Sequence, residues 1–228
     1  MAMFDDHPSR LTPDLICQSV TKSFVEAERN VSPYPYWTAS GILPAELVEA
    51  ICGLPFEAPD LGGVSGKREK HNATRTYFDA ETRAAFEFVE AAAQAFQSEE
   101  ITRTIEQTFG TSLAGSYLRM EYAQDIDGFW LQPHSDLGVK LFTLLLYLSD
   151  DPAHASLGTD IYDADKAHVG TAPFIPNGAM IFVPADNTFH GFEARPISGV
   201  RKSLIVNYVT EDWRDREQLA FPDAPIGK

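Results

Sequence analysis

Four residues stand out by type and spacing. His134 and Asp136 lie in Gln132-Pro-His-Ser-Asp-Leu-Gly138, His190 lies in Asn187-Thr-Phe-His-Gly-Phe192, and Arg201 opens Arg201-Lys-Ser-Leu-Ile-Val-Asn-Tyr208. Two imidazoles and one carboxylate can cap one face of a ferrous ion and leave the other face open to O2 and a chelating cosubstrate. That is the donor set of an oxygenase. On a β-strand, residues i and i+2 point the same way, so His134 and Asp136 project together from one strand or its end. His190 must come from a distant strand folded alongside. A lone His-x-Asp is weak evidence, and the order of the parts and their neighbours carry the reading. Strand-like sequence flanks each part: Phe142–Leu148, Ala179–Val183 and Ser203–Val209.

On these motifs the chain resembles the iron(II)- and 2-oxoglutarate-dependent dioxygenase superfamily, near its prolyl-hydroxylase-like branch, over roughly residues 115 to 212. The resemblance implies that His134, Asp136 and His190 are the metal ligands and catalytic triad. It implies that Arg201 holds the distal carboxylate of 2-oxoglutarate, with Ser203 completing the Arg-x-Ser pattern. Tyr147 matches a strand tyrosine that binds the same carboxylate, and Tyr122 resembles a tyrosine found shortly before the His-x-Asp. The interval from His190 to Arg201 is one position longer than is usual, which implies a bulge or an extra turn residue. Arg195 then competes as carboxylate partner; Arg201 is preferred because it precedes a long apolar strand. A guanidinium offers a planar fork suited to a carboxylate and stays charged at any working pH. The implied cofactors are Fe(II), 2-oxoglutarate as cosubstrate and O2, with ascorbate as a candidate reductant. The implied reaction is hydroxylation of an unactivated C–H with release of succinate and CO2. An intact Asp136 argues against halogenation, which in the family needs a small residue there.

The 228 residues are enough for one sizeable core, and 44% hydrophobic with 22% charged residues is an ordinary globular mixture. A formal net charge of −15 argues against a nucleic-acid partner, because such binding rests on Lys and Arg contacts to phosphates. No apolar run is long enough to span a bilayer, so no membrane partner is expected. The acidic N-terminus lacks the features of a signal peptide. Only Cys17 and Cys52 are present, which suggests no disulfide framework. A cytoplasmic enzyme is the expectation.

The elements that must position the site divide into a mostly helical front (1–112), a jelly-roll core (113–212) and a tail (213–228), read as one dioxygenase domain. Thr12-Pro-Asp marks a helix start, with the helix running to about Asn30. Pro44–Cys52 reads as a short helix closed by Gly53. Asp79 caps a helix in which Ala85, Phe86, Val89, Ala92, Ala93 and Phe96 form one apolar face, and Ile101, Ile105 and Phe109 continue a second stripe to Gly110. From Ser116, Leu118, Met120 and Tyr122 alternate with Arg119 and Glu121, predicting a strand with one buried face. The fold expected is mainly β with flanking helices (α+β): an eight-stranded double-stranded β-helix, or jelly roll, with the N-terminal helices packed on one sheet. The tail from Phe221 is expected to be partly loose, with Trp213 anchoring what precedes it.

Two loops bear on substrate. Glu57–Asn72 is rich in Gly and cations, and with Arg75 it is either a lid that binds an anionic substrate or a solvated surface loop. Ala153–Val169 carries His154 and His168, more simply loop histidines than extra ligands, and Leu157–Tyr162 is expected to edge the pocket. Three functions remain: a small-molecule hydroxylase, a prolyl-hydroxylase-like protein or peptide hydroxylase, and a non-catalytic metal-binding jelly-roll module. A structural metal site needs no carboxylate clamp, so Arg201 argues against the third. Asp136→Ala is expected to abolish turnover without unfolding the chain.

Overall fold

The computed structural model describes residues 11–59, 75–136 and 138–227. The loop Glu57–Asn72 falls mostly outside them. Helix α1 (Pro13–Val25) starts where Thr12 Oγ1 accepts the Leu15 N–H and Pro13 takes a position that needs no donor. It ends at Val25 rather than near Asn30, because β1 (Glu28–Asn30) turns back to pair with β2 (Tyr36–Ser40). Helix α2 (Ala45–Cys52) follows as expected, and β3 is the short strand Thr76–Tyr77.

The single helix expected after Asp79 is two. Asp79 caps α3 (Ala80–Ala85), Phe86 adopts an extended conformation, and α4 (Glu87–Gln97) restarts beyond it. Phe86 packs edge-on against Phe56, and Ala85 is left exposed. Val89, Ala92, Ala93 and Phe96 do form the buried face of α4. Helix α5 (Glu99–Phe109) buries Ile101, Ile105 and Phe109 and closes on Gly110 in the left-handed region, where a side chain would be strained.

The remaining strands are β4 (Tyr117–Asp125), β5 (Leu131–His134), β6 (Lys140–Tyr147), β7 (Asp160–Tyr162), β8 (His168–Thr171), β9 (Gly178–Phe182), β10 (His190–Phe192) and β11 (Arg201–Val209). They form a seven-stranded sheet ordered β1-β2-β9-β6-β11-β4-β3 and a four-stranded sheet ordered β5-β10-β7-β8. Strands β9, β6, β11 and β4 with the four of the smaller sheet are the eight of a jelly roll. The other three extend the larger sheet.

Strand alternation sorts the larger sheet into two faces. Leu118, Met120, Tyr122, Phe142, Leu144, Leu146, Leu204, Val206 and Tyr208 pack with α1, α4 and α5 in the main core. Met180, Phe182 and Leu145 meet Ile161 of the smaller sheet, and Tyr147 meets Phe192, so the second face fills the space between the sheets. The face of β4 expected to meet solvent is buried too: Arg119 is fully buried and Glu121 is 3% exposed. The tail is not loose. Ile226 is buried, its N–H donates to the Ser116 carbonyl, and its own carbonyl accepts from Gly115.

Candidate active site

The three ligand candidates come from one end of the smaller sheet: its edge strand β5, the segment that follows it, and the neighbouring strand β10. His134 closes β5, Asp136 follows two residues on, and His190 opens β10, where it is the direct cross-strand partner of His134. One ligand atom from each residue lies within 4.8 Å of the others, and no other such group occurs among the described residues. Each imidazole has its Nδ1 3.0 Å from a backbone carbonyl, Gln132 for His134 and Thr188 for His190. A carbonyl only accepts, so the proton sits on Nδ1 and the Nε2 lone pair is left for a metal. The two Nε2 atoms lie 3.8 Å from Oδ1 and Oδ2 of Asp136 respectively. Burial, with the neighbouring His134 second, pushes the His190 imidazole down to about 3, so it is neutral and able to ligate at ordinary pH. A pre-oriented His2Asp set fits a divalent ion of the ferrous type.

Close approach of β10 to β5 depends on Gly191. A Cβ there would lie 2.6 Å from the Leu131 carbonyl oxygen. Gly191→Ala should therefore push the two imidazoles apart, destabilising the chain by about 1–3 kcal/mol and weakening metal binding; a thermal melt and a metal titration check both parts.

A cleft beside the triad is lined by His134, His190, Tyr147, Thr159, Arg201 and Ser203, with Phe129 and Phe192 as apolar wall. Register explains the grouping. On β11, Arg201, Ser203 and Ile205 share the inward face, and Ser203 pairs directly with Tyr147 on one side and Ala123 on the other. Arg201 sits 6% exposed among Phe192, Phe174 and Tyr147, whose ring centres lie 4.9 to 5.7 Å from its guanidinium carbon. Its Nε donates to the Leu157 carbonyl, and an Nη donates to Asp125 at 2.6 Å. Tyr147 donates its hydroxyl to Thr159 Oγ1 and accepts the Thr159 N–H; burial pushes the phenol's pKa up. Thr159 lies in the stretch expected to edge the pocket.

Tyr122 is a correction. It falls between Glu121 and Ala123, which line the cleft, so its side chain points to the opposite face and is buried in the helix-packed core. Arg195 is also excluded from the cleft's lining: it pairs with Asp160 at 2.8 Å, donates to the Gly158 carbonyl and lies over Phe192. His154 is a buried structural histidine bonded to the Ser198 carbonyl, and His168 lies 3.3 Å from Asp160, so neither joins the triad.

Sequence reasoning missed a buried polar ladder along the inward face of β4. Arg119 donates to Glu121 at 2.5 Å, Glu121 lies 3.4 Å from Arg75, and Asp125 receives both Arg75 at 2.7 Å and Arg201. A second line runs from Arg119 to Asn207, from Asn207 to Thr143, and from Thr143 to Asp136 Oδ2. In the sequence, Arg119 and Glu121 alternate with apolar residues as a solvent-facing side would, so no local signal marked their burial.

No family model matches the sequence, and a sequence search of curated proteins finds no match. Solved structures do match by fold. A prolyl-4-hydroxylase from Pseudomonas putida aligns at 15% identity over 92% of this chain and 98% of its own, with a TM-score of 0.53. A Trichoplax adhaerens prolyl hydroxylase in complex with a hypoxia-inducible-factor peptide fragment aligns at 14% identity over 87% and 89%, also at 0.53. HygX from Streptomyces hygroscopicus, with nickel and 2-oxoglutarate bound, aligns at 11% identity over 78% and 84%, at 0.50. The chain has the fold that these prolyl hydroxylases and HygX share.

Proposed function

We propose that this chain is a single-domain Fe(II)- and 2-oxoglutarate-dependent oxygenase that hydroxylates a C–H bond of a small molecule. The observation that carries the reading is Arg201: a buried, aromatic-lined guanidinium opening into the same cleft as a His2Asp set. A metal that merely staples strands has a closed shell and no use for such a clamp. In this reading His134, Asp136 and His190 hold the metal, which when loaded with 2-oxoglutarate and O2 supplies the oxidising power and releases succinate and CO2. Arg201 takes the distal carboxylate as a fork, Ser203 and Tyr147 border it, and Phe129, Phe174 and Phe192 exclude water and strengthen the ion pair. The net charge of −15 supports a substrate other than nucleic acid. Unpaired Cys17 and Cys52 support a reducing setting such as the cytoplasm. Among the described residues no helix is long and apolar enough to cross a membrane.

A peptide substrate is the second reading, favoured by the peptide held by the Trichoplax neighbour. Succinate release separates the two. A panel of amino acids and sugars should stimulate it under the first reading, and proline-containing peptides under the second.

The test of the oxygenase itself is anaerobic titration of the apo-protein with ferrous ion and 2-oxoglutarate. A weak visible metal-to-ligand charge-transfer band is expected. Ferrous binding without that band would leave a metal-binding jelly roll.

A further inference from the structure

The aspartate of the triad has a cation of its own. Lys140, the first residue of β6, sets its ammonium 2.8 Å from Asp136 Oδ1, and the two side chains are only 4% and 5% exposed. They lie four positions apart, and the turn between them includes Gly138 at a φ of 100°, a conformation that favours glycine. The other oxygen, Oδ2, accepts from Thr143 on the same strand, and Thr143 in turn accepts from the Asn207 amide. Both carboxylate oxygens are therefore engaged before any metal arrives.

The charges then balance within the site. Asp136 contributes one negative charge, and Lys140 cancels it from within hydrogen-bond distance. We propose that Lys140 is a positioning residue that holds Asp136 and sets the charge of the metal centre, so that a divalent ion bound there keeps its full positive charge toward an anionic 2-oxo acid. This rests on the metal-binding reading above. The ammonium opposes capture of the bare cation and favours capture of the anionic chelator that follows. In a buried site of low effective dielectric, one unit charge at this range changes each step by about tenfold or more.

The two effects have opposite signs, and a lysine that only props the strand would not produce that. Calorimetric titration of the apo-protein with Mn(II), followed by 2-oxoglutarate titration of the Mn(II) form, reads both steps without turnover. Lys140→Met should bind Mn(II) about tenfold more tightly and 2-oxoglutarate about tenfold more weakly than the wild type. Lys140→Arg, which keeps the charge, should stay within about threefold on both. Should Lys140→Met fail to fold, Lys140→Gln enters the same comparison, since its amide can donate to Asp136 without charge. Weakening of both steps in the neutral variant, or change in neither, overturns the inference. If the wild type itself binds neither Mn(II) nor 2-oxoglutarate, the metal reading fails first, and that result is distinct from either variant outcome.

Discussion

Asp136→Asn should abolish substrate-dependent succinate release and weaken ferrous binding by more than the roughly 10–100-fold that loss of an outer-shell partner costs. The amide keeps the shape of the carboxylate and its one oxygen can still accept from either Thr143 or Lys140, so the fold should survive. Asp136→Ala is the more damaging change. Both substitutions remove the negative charge beside the Lys140 ammonium, 4% exposed, but alanine also removes the acceptor oxygen, and breaking a buried ion pair from one side costs about 3–5 kcal/mol. The expectation from sequence, that alanine there would spare the fold, did not include Lys140. Thermal melts of both apo-variants, with ferrous titration of the asparagine one, test this. Wild-type metal affinity in Asp136→Asn would remove Asp136 from the ligand set, and a wild-type melting temperature for Asp136→Ala would remove the ion pair as a stabilising contact.

Arg201→Met should leave metal binding nearly intact while weakening 2-oxoglutarate binding by about 100-fold or more, the scale for truncating one side of a buried, hydrogen-bonded charge pair. The aromatic surroundings make the loss large, because a carboxylate entering between Phe174 and Phe192 would find apolar rings and Asp125 in place of a cation. Arg201→Lys should recover part of the affinity, since it restores the charge without the two-pronged fork. The measurement is 2-oxoglutarate titration of the metal-loaded protein with the charge-transfer band as signal. An unchanged dissociation constant in the methionine variant would move the carboxylate site elsewhere in the cleft.

The convergence of His134, Asp136, His190 and Arg201 was legible because these residue types stand at strand spacing, and because the apolar strands beside them announce themselves by period. Tyr122 shows where such reasoning fails. A family match placed it near the cosubstrate, yet strand parity sends it to the face that carries Leu118 and Met120; one residue along a strand reverses the side. The ladder of Arg75, Arg119, Glu121 and Asp125 was illegible for a related reason. Charged residues in alternation normally mean a wet face, and only the smaller sheet and the neighbours of β4, unseen from a local window, make that face an interior. The break at Phe86 had no local signal either, since its ring fits the apolar stripe and its edge-on partner Phe56 lies on a distant segment.

The edge of the larger sheet has a further consequence, in time rather than in space. Trp37 of β2 pairs with Ile181 of β9, and β2 is flanked by a hairpin partner made long before β9 exists on the ribosome. Likewise His134 meets His190 only after the segments between them have been laid down. Contacts this distant along the chain are slow to close, because loop entropy is lost before any pairing rewards it. Refolding should accordingly show helix signal from α1, α4 and α5 well ahead of metal competence, and the two histidines should be among the last residues to find each other.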